Sequence, residues 1–287
     1  MCRHAFGKCN LKSQPSQGFG WACCCLFVQR HVILTPAGPT AKRLLMTAHK
    51  SGDPTTLNRL YGRSKGKPLR AGQQGLVDTL LPRIAMPIDG SITSEVLFGD
   101  TRPLHFEIGF GGGEHLAFRA DLLPDHGFIG AEPFLNGVAQ ALVHVDGGDP
   151  RQMGGAHAPL GNVRIHHGDA LEVLARIPDG ALSFIYLLHP DPWPKARHAK
   201  RRMMNDGPLK LIAQKLKPGG EFRFGTDHLI YLRHALMVMR RHRDTFEWQC
   251  GKPSDFQTRP SDWPQTRYEA KARTLGHEVW YFRYRRR

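Results

Sequence analysis

Acidic residues are missing from the first 52 positions of this 287-residue chain; the first is Asp53. The same stretch carries seven Lys/Arg, scattered Gly, Pro and Ser, and no sustained helical or strand period, so residues 1–52 are expected to be a disordered extension. Three origins are compatible with it: an organelle-targeting peptide, a basic arm that grips a polyanion, or sequence upstream of a start at Met46. The third is favoured, because it accounts for both the composition break and the local cysteine cluster. Cysteine is nearly absent elsewhere. Cys2, Cys9, Cys23, Cys24 and Cys25 all fall in the extension and Cys250 stands alone in the rest, which excludes a disulfide framework. The Cys23-Cys24-Cys25 run lacks the spacing of a zinc site and no His pair accompanies it, so no metal is expected. No apolar run reaches the roughly 18 residues of a spanning helix. The apolar patch at 21–28 lacks a following cleavage pattern. These absences lead to the expectation of a protein of a reducing, cytoplasmic compartment with no membrane partner.

What the chain has in excess is positive charge. Its formal net charge is +15 and its pI about 9.9, a balance that favours polyanions, nucleic acid before a membrane surface. Residues 53–100 read as a basic arm, with Arg59, Arg63, Lys65, Lys67 and Arg70, followed by a lead-in helix at 73–83 carrying Leu76, Leu80 and Leu81 on one side. From residue 101 the pattern alternates. Strands are expected at 105–108, 127–131, 163–166, 182–188, 221–225, 246–250 and 279–284. Helices are expected at 114–123, 134–145, 171–176, 208–216 and 228–241. Repeated strand–helix units imply an α/β domain over 101–287 with a parallel sheet and right-handed crossovers. The Gly/Pro-rich stretch at 146–161 reads as a surface loop.

The segment Phe106-Glu-Ile-Gly-Phe-Gly-Gly-Gly-Glu-His-Leu116 places Glu107 before Gly109, Gly111 and Gly113 at a strand–helix junction. Glycines there allow a tight turn and close approach of backbone to a ligand. Glu114 sits where a dinucleotide's pyrophosphate would need the helix N-terminus, which disfavours that ligand. Carboxylates on both sides of the loop suit a cation without phosphates, and S-adenosylmethionine, with its sulfonium and ammonium groups, is such a ligand. A Gly-rich loop alone is equally an ordinary βα turn. Glu132, about 20 residues on, ends the second strand, where a carboxylate can accept ribose hydroxyls. Asp169 follows the third strand, where a carboxylate can accept from the adenine amine. Asp169 would also make a good helix N-cap. Three acids at successive carboxyl ends of a parallel sheet converge on the place where open α/β folds bind ligands.

After the fourth expected strand comes His189-Pro-Asp-Pro-Trp-Pro194, whose prolines hold the chain extended and present Asp191 and Trp193. Lys195, Arg197, Lys200, Arg201 and Arg202 follow, with His198 among them: five Lys/Arg in eight residues, a compact surface for phosphates or, on a blander reading, a solvated basic loop. Further on stand Thr226-Asp227, which read equally as a helix cap, and Thr266-Arg267-Tyr268-Glu269.

In this order, the glutamate-led Gly loop, the Asp-Pro-Trp-Pro motif running into a basic stretch, Thr226-Asp227 and the C-terminal Thr-x-x-Glu resemble the bacterial tRNA (guanine-N7)-methyltransferases, over roughly residue 57 to the C-terminus. The resemblance implies a Rossmann-like class I methyltransferase fold with a mostly parallel seven-stranded sheet and an antiparallel last strand. It implies transfer of a methyl group from S-adenosylmethionine to N7 of guanosine 46 in the tRNA variable loop. Carried over residue by residue, Glu107, Gly109, Gly111, Glu132, Asp169 and Asp191 would contact the cofactor, and Asp191 would also be catalytic. Lys195, Asp227, Thr266, Arg267, Tyr268 and Glu269 would hold the substrate, and Arg197, His198, Lys200, Arg201 and Arg202 would touch RNA. Two departures stand out: Ala196 where relatives often have Lys, and the long loop at 146–161. The first 45 residues match no family segment. The rival readings are a methyltransferase for another RNA base or an exocyclic amine, and a non-catalytic RNA-binding protein of the same fold. Monomer and homodimer are both compatible with the sequence.

Overall fold

The computed structural model describes residues 66–148 and 157–287. The expectations for the extension at 1–52, for Arg59, Arg63 and Lys65, and for the middle of the Gly/Pro-rich loop lie outside the described residues. Within them the chain begins with α1 (Ala71–Thr79), α2 (Leu81–Ile84) and α3 (Ser94–Phe98). Alternation then starts: β1 (Leu104–Ile108), α4 (Glu114–Leu122), β2 (Gly127–Ala131), α5 (Leu135–Val145), β3 (Val163–His166), α6 (Ala170–Arg176) and β4 (Leu182–Leu188). It continues with α7 (Asp206–Lys215), β5 (Leu216–Thr226) and α8 (Leu229–Arg241), and closes with β6 (Phe246–Trp248), α9 (Ser254–Gln257), α10 (Arg267–Thr274) and β7 (Trp280–Arg286).

The strands form one sheet in the order β3-β2-β1-β4-β5-β7-β6. The first five are mutually parallel, and β7 enters antiparallel between β5 and β6. This is the Rossmann-like class I arrangement expected. All five residues of β1 and of β2 are buried, as strands covered by helices on both faces must be. Phe106, Ile185, Leu187, Phe222 and Phe224 point to the face covered by α6, α7 and α8. Phe128, Val163 and Ile165 pack with residues of α1, α2, α4 and α5. The winding direction reverses between β1 and β4, which opens a crevice at the carboxyl ends of those strands.

Local chemistry explains where the elements begin and end. The single lead-in helix expected at 73–83 is two helices, because Pro82 has no N–H to continue the first one. Thr93 caps α3 by accepting from the Val96 amide, and Gly99 ends it at φ +82°. α8 buries Tyr231, Leu232, Ala235, Val238 and Met239, the i, i+1, i+4, i+7, i+8 stripe of an amphipathic helix. Three short helices, α3, α9 and α10, are additions to the sequence reading, and β5 starts five residues earlier than expected at Leu216. No helix among the described residues is long and apolar enough to cross a membrane.

Candidate active site

A cavity of about 930 Å³ opens at the reversal point. Glu107 from β1, Glu132 from the end of β2, Asp169 from the turn before α6 and Asp191 from the loop after β4 all line it, together with Gly109 and Gly111. The loop between β1 and α4 follows from its glycines. Gly109, Gly111 and Gly113 have φ of +68°, +58° and +79°, values that side chains with a Cβ rarely adopt. A Cβ on Gly113 would also collide with Ala141 of α5, so this glycine sets how closely α4 and α5 approach.

Glu132 stitches two of the loops together. One carboxylate oxygen accepts the Gly111 amide at 2.8 Å and the other the Phe134 amide at 2.9 Å. Each oxygen keeps a further lone pair for a ligand. Asp169 accepts the Leu171 amide at 2.9 Å, so it is the N-cap of α6 as well as part of the cavity wall. Burial raises the carboxyls of Glu132, Asp169 and Asp191 above their ordinary values. Asp191 stands at the open mouth and Glu107, 3% exposed, at the floor. Burial makes the charged forms of these three carboxyls costly, so a cation held in the cavity they line would stabilise them. The glycine loop gives backbone access and Glu132 retains acceptor capacity, so the residues fit S-adenosylmethionine.

The Asp-Pro-Trp-Pro loop is strained and clamped. His189 (φ +49°) and Trp193 (φ +40°) both occupy the left-handed region, at a cost on the order of 1–3 kcal/mol each. Arg202 holds the turn by donating to the Pro192 carbonyl at 3.1 Å and the Trp193 carbonyl at 2.9 Å. Asn205 donates in turn to the Arg202 and Ala199 carbonyls, closing the 3₁₀ turn at Ala196–Arg201. Arg202 is only 5% exposed. The expectation that it touches RNA is therefore corrected: its guanidinium is spent on the loop backbone. Arg201 lies 4.9 Å from the Trp193 ring centroid and His198 stands edge-on to the same ring. Lys195, Arg197 and Lys200 are exposed, and Lys200, Arg201 and Arg202 reach the cavity wall.

The C-terminal motif is a helix start. Thr266 caps α10 by accepting the Glu269 amide, and Thr266 and Tyr268 line the cavity. Arg267 pairs with Glu114 rather than facing the cavity, which offsets the charge that separates this loop from a dinucleotide site. Glu269 is 2% exposed and pairs with Arg273 at 3.0 Å and Arg259 at 3.4 Å. Glu269 does not line the cavity; Arg273 of α10 and Arg259 from the segment before it hold its carboxylate. Asp227 is likewise outside the cavity wall, between His189 at 3.5 Å and His277 at 3.2 Å, and contact with His189 leads the effects that hold its carboxyl down at about 2. The cap at this strand end is Thr226, whose hydroxyl accepts the His228 amide. Lys195, Arg197 and His198 do not line the cavity.

Several residues that shape the site carry no sequence signal of their own. Arg119 of α4 and Arg223 of β5 both grip Asp262, at 3.0 and 2.8 Å, and bring the segment before α10 onto the sheet. His189 lines the cavity beside Asp191, and His115 meets Glu107 from behind. Their positions, one just before the Pro-Asp-Pro and one just after the glycines, were the only available hints.

A family model described as "Putative methyltransferase" matches residues 101–282. A Sphingopyxis alaskensis protein named tRNA (guanine-N(7)-)-methyltransferase is 81% identical over 242 residues, 84% of this chain and 100% of that one. Proteins of the same name from Novosphingobium aromaticivorans and Zymomonas mobilis are 76% identical over 243 residues and 58% identical over 241, each again covering 84% of this chain and 100% of the relative. The chain belongs to the tRNA (guanine-N(7)-)-methyltransferase family.

Proposed function

We propose that this chain transfers a methyl group from S-adenosylmethionine to N7 of a guanosine in tRNA, guanosine 46 of the variable loop. The observation that carries the reading is the convergence of Glu107, Glu132, Asp169 and Asp191 on one cavity whose wall also takes Lys200, Arg201 and Arg202 from the basic stretch. Identity of 81% over the whole length of a relative named tRNA (guanine-N(7)-)-methyltransferase supports the methyl transfer to guanine N7. The reaction acts on tRNA, so the enzyme works in the cytoplasm.

S-adenosylmethionine supplies an electrophilic methyl group on a sulfonium. Guanine N7 already carries a free lone pair, so no residue has to remove a proton before attack, and catalysis is positioning and electrostatics. Glu132 and Asp169 would hold the ribose hydroxyls and the adenine amine, and Glu107 would take the amino-acid end. Asp191, at the mouth between the cavity and the basic loop, is the catalytic residue: its carboxylate stabilises the positive charge that develops on the purine. Thr266 and Tyr268 bound the base, and Asp227, held ionised by its two histidines, adds negative potential behind His189. Glu269 acts at one remove, by fixing α10. Lys195, Arg197 and Lys200 contact phosphates, with Arg201 and His198 against Trp193 at the edge of that surface.

The test is methyl transfer to unmodified tRNA transcripts, followed by chain cleavage at 7-methylguanosine. Cleavage at position 46 is the expected result. Methyl incorporation without cleavage, or cleavage elsewhere, contradicts the reading.

A further inference from the structure

His115, on the first turn of α4, is 1% exposed. Its Nδ1 lies 2.8 Å from Glu107 Oε2. Its ring stands edge-on to Tyr186, with centroids 4.6 Å apart, and 6.0 Å from Trp263. Its Nε2 is buried with no hydrogen-bond partner among the described residues. Leu or Phe would fill the same apolar niche without stranding a polar atom, which is the costly part of burying a histidine. What an imidazole does here and a hydrocarbon cannot is donate to Glu107. A carboxylate accepts, so Nδ1 is the nitrogen that donates to Glu107.

We propose that His115 is the positioning residue for the acid that receives the ammonium group of S-adenosylmethionine, fixing one Glu107 oxygen so that the other is presented to the cavity. The inference rests on the reading that Glu107 contacts the cofactor. The ammonium is assigned to Glu107 by elimination. Glu132 and Asp169 stand at the ends of β2 and β3, where the ribose and adenine go. The sulfonium has to lie near Asp191 at the mouth, where the base arrives. The floor at the end of β1 is left for the amino-acid tail. A glutamate has three side-chain torsions, and holding them before the ligand arrives lowers the entropy lost on binding. His115 itself does not reach the cavity wall, so it acts only through Glu107.

Calorimetric titration of the full chain with two ligands separates this role from simple packing. S-adenosylmethionine has the amino-acid tail; 5′-methylthioadenosine shares the adenine, ribose and sulfur but lacks it. H115L should weaken S-adenosylmethionine about 10- to 100-fold while leaving 5′-methylthioadenosine within about twofold. H115N, whose amide N–H can stand in for Nδ1–H, should recover most of the loss. H115F, which keeps a ring but no donor, carries the same expectation as H115L should that variant not fold. Equal losses for both ligands, or no loss for S-adenosylmethionine, overturn the role of His115. E107Q tests the underlying reading separately. Unchanged S-adenosylmethionine affinity in E107Q removes Glu107 from the site and the proposal with it. A loss in E107Q with none in H115L or H115F overturns the positioning role alone.

Discussion

Arg202 donates to the Trp193 carbonyl at 2.9 Å, so a cation from the basic stretch holds the loop that presents Asp191. Residues nine apart in sequence thereby divide the stretch by task. Arg202 shapes the loop from within, while Lys195, Arg197 and Lys200 remain exposed for a polyanion.

Arg202→Ala removes two charge-assisted hydrogen bonds to a strained turn and should cost about 2–3 kcal/mol of stability. Methyl transfer at saturating substrates should fall about 100-fold, because Asp191 loses its placement. The salt dependence of tRNA binding should stay as in the unaltered protein. Denaturant unfolding and filter binding across a salt series check both parts. A flattened salt slope with normal turnover would return Arg202 to the RNA surface.

Replacing Lys195, Arg197 and Lys200 together by Gln should have the opposite profile. Melting behaviour should be unchanged. The slope of log affinity against log salt should shrink by about 2–3, one phosphate contact per residue.

Asp191→Ala should lower turnover about 100- to 1000-fold, the usual loss when one electrostatic partner of a developing charge is removed. The affinity for tRNA should be unaffected, since the phosphate contacts lie on neighbouring residues. Single-turnover rates and binding isotherms on the same preparation decide it; near-normal turnover would remove Asp191 from catalysis.

The raised carboxyls of Glu132, Asp169 and Asp191 make a pH prediction with a definite sign. Each binds a proton more readily in the folded protein than in the unfolded chain. The ligand-free protein therefore gains stability from them as pH falls through the raised values toward the ordinary carboxylate range near about 4. A cationic ligand needs the ionised forms, so the thermal stabilisation conferred by S-adenosylmethionine should shrink over that same interval. Melting curves with and without the cofactor at stepped pH would show the two trends crossing; a cofactor-induced shift constant with pH would contradict the electrostatic role of these acids.

Gly113→Ala should destabilise by about 2–4 kcal/mol, from a strained φ and the collision with Ala141. Gly219→Ala, at φ +77° with open space around it, isolates the backbone share and should cost less.

The sequence exposed most of this architecture because its signals are local. Apolar runs such as Leu182–Leu188 end close to glycine or proline, and each acid lies within about three residues of a strand end, so strand end and carboxylate are legible together. The misses have physical causes. α10 is eight residues long and strongly polar, held by the Thr266 cap and by ion pairs rather than by an apolar stripe. Thr-x-x-Glu reads as a pair of ligands in sequence; the structure adds that Thr266 is also a helix cap and that Glu269 is buried and held by arginines. Arg202 was indistinguishable from its neighbours by composition, since only the fold of the loop turns it inward. Arg119, Arg223 and Asp262 are more than 35 residues apart and meet only through the tertiary structure. His115 sits in plain view after the glycines, but its partner is chosen by the packing of α4 on β1.

The most direct test of the account is a titration of S-adenosylmethionine into the unaltered protein and into Glu132→Gln and Asp169→Asn, at neutral pH. One cofactor per chain should bind the unaltered protein, with affinity reduced at least about tenfold in each variant. Equal affinity in all three proteins would mean that the acids at the top of the sheet do not hold the methyl donor.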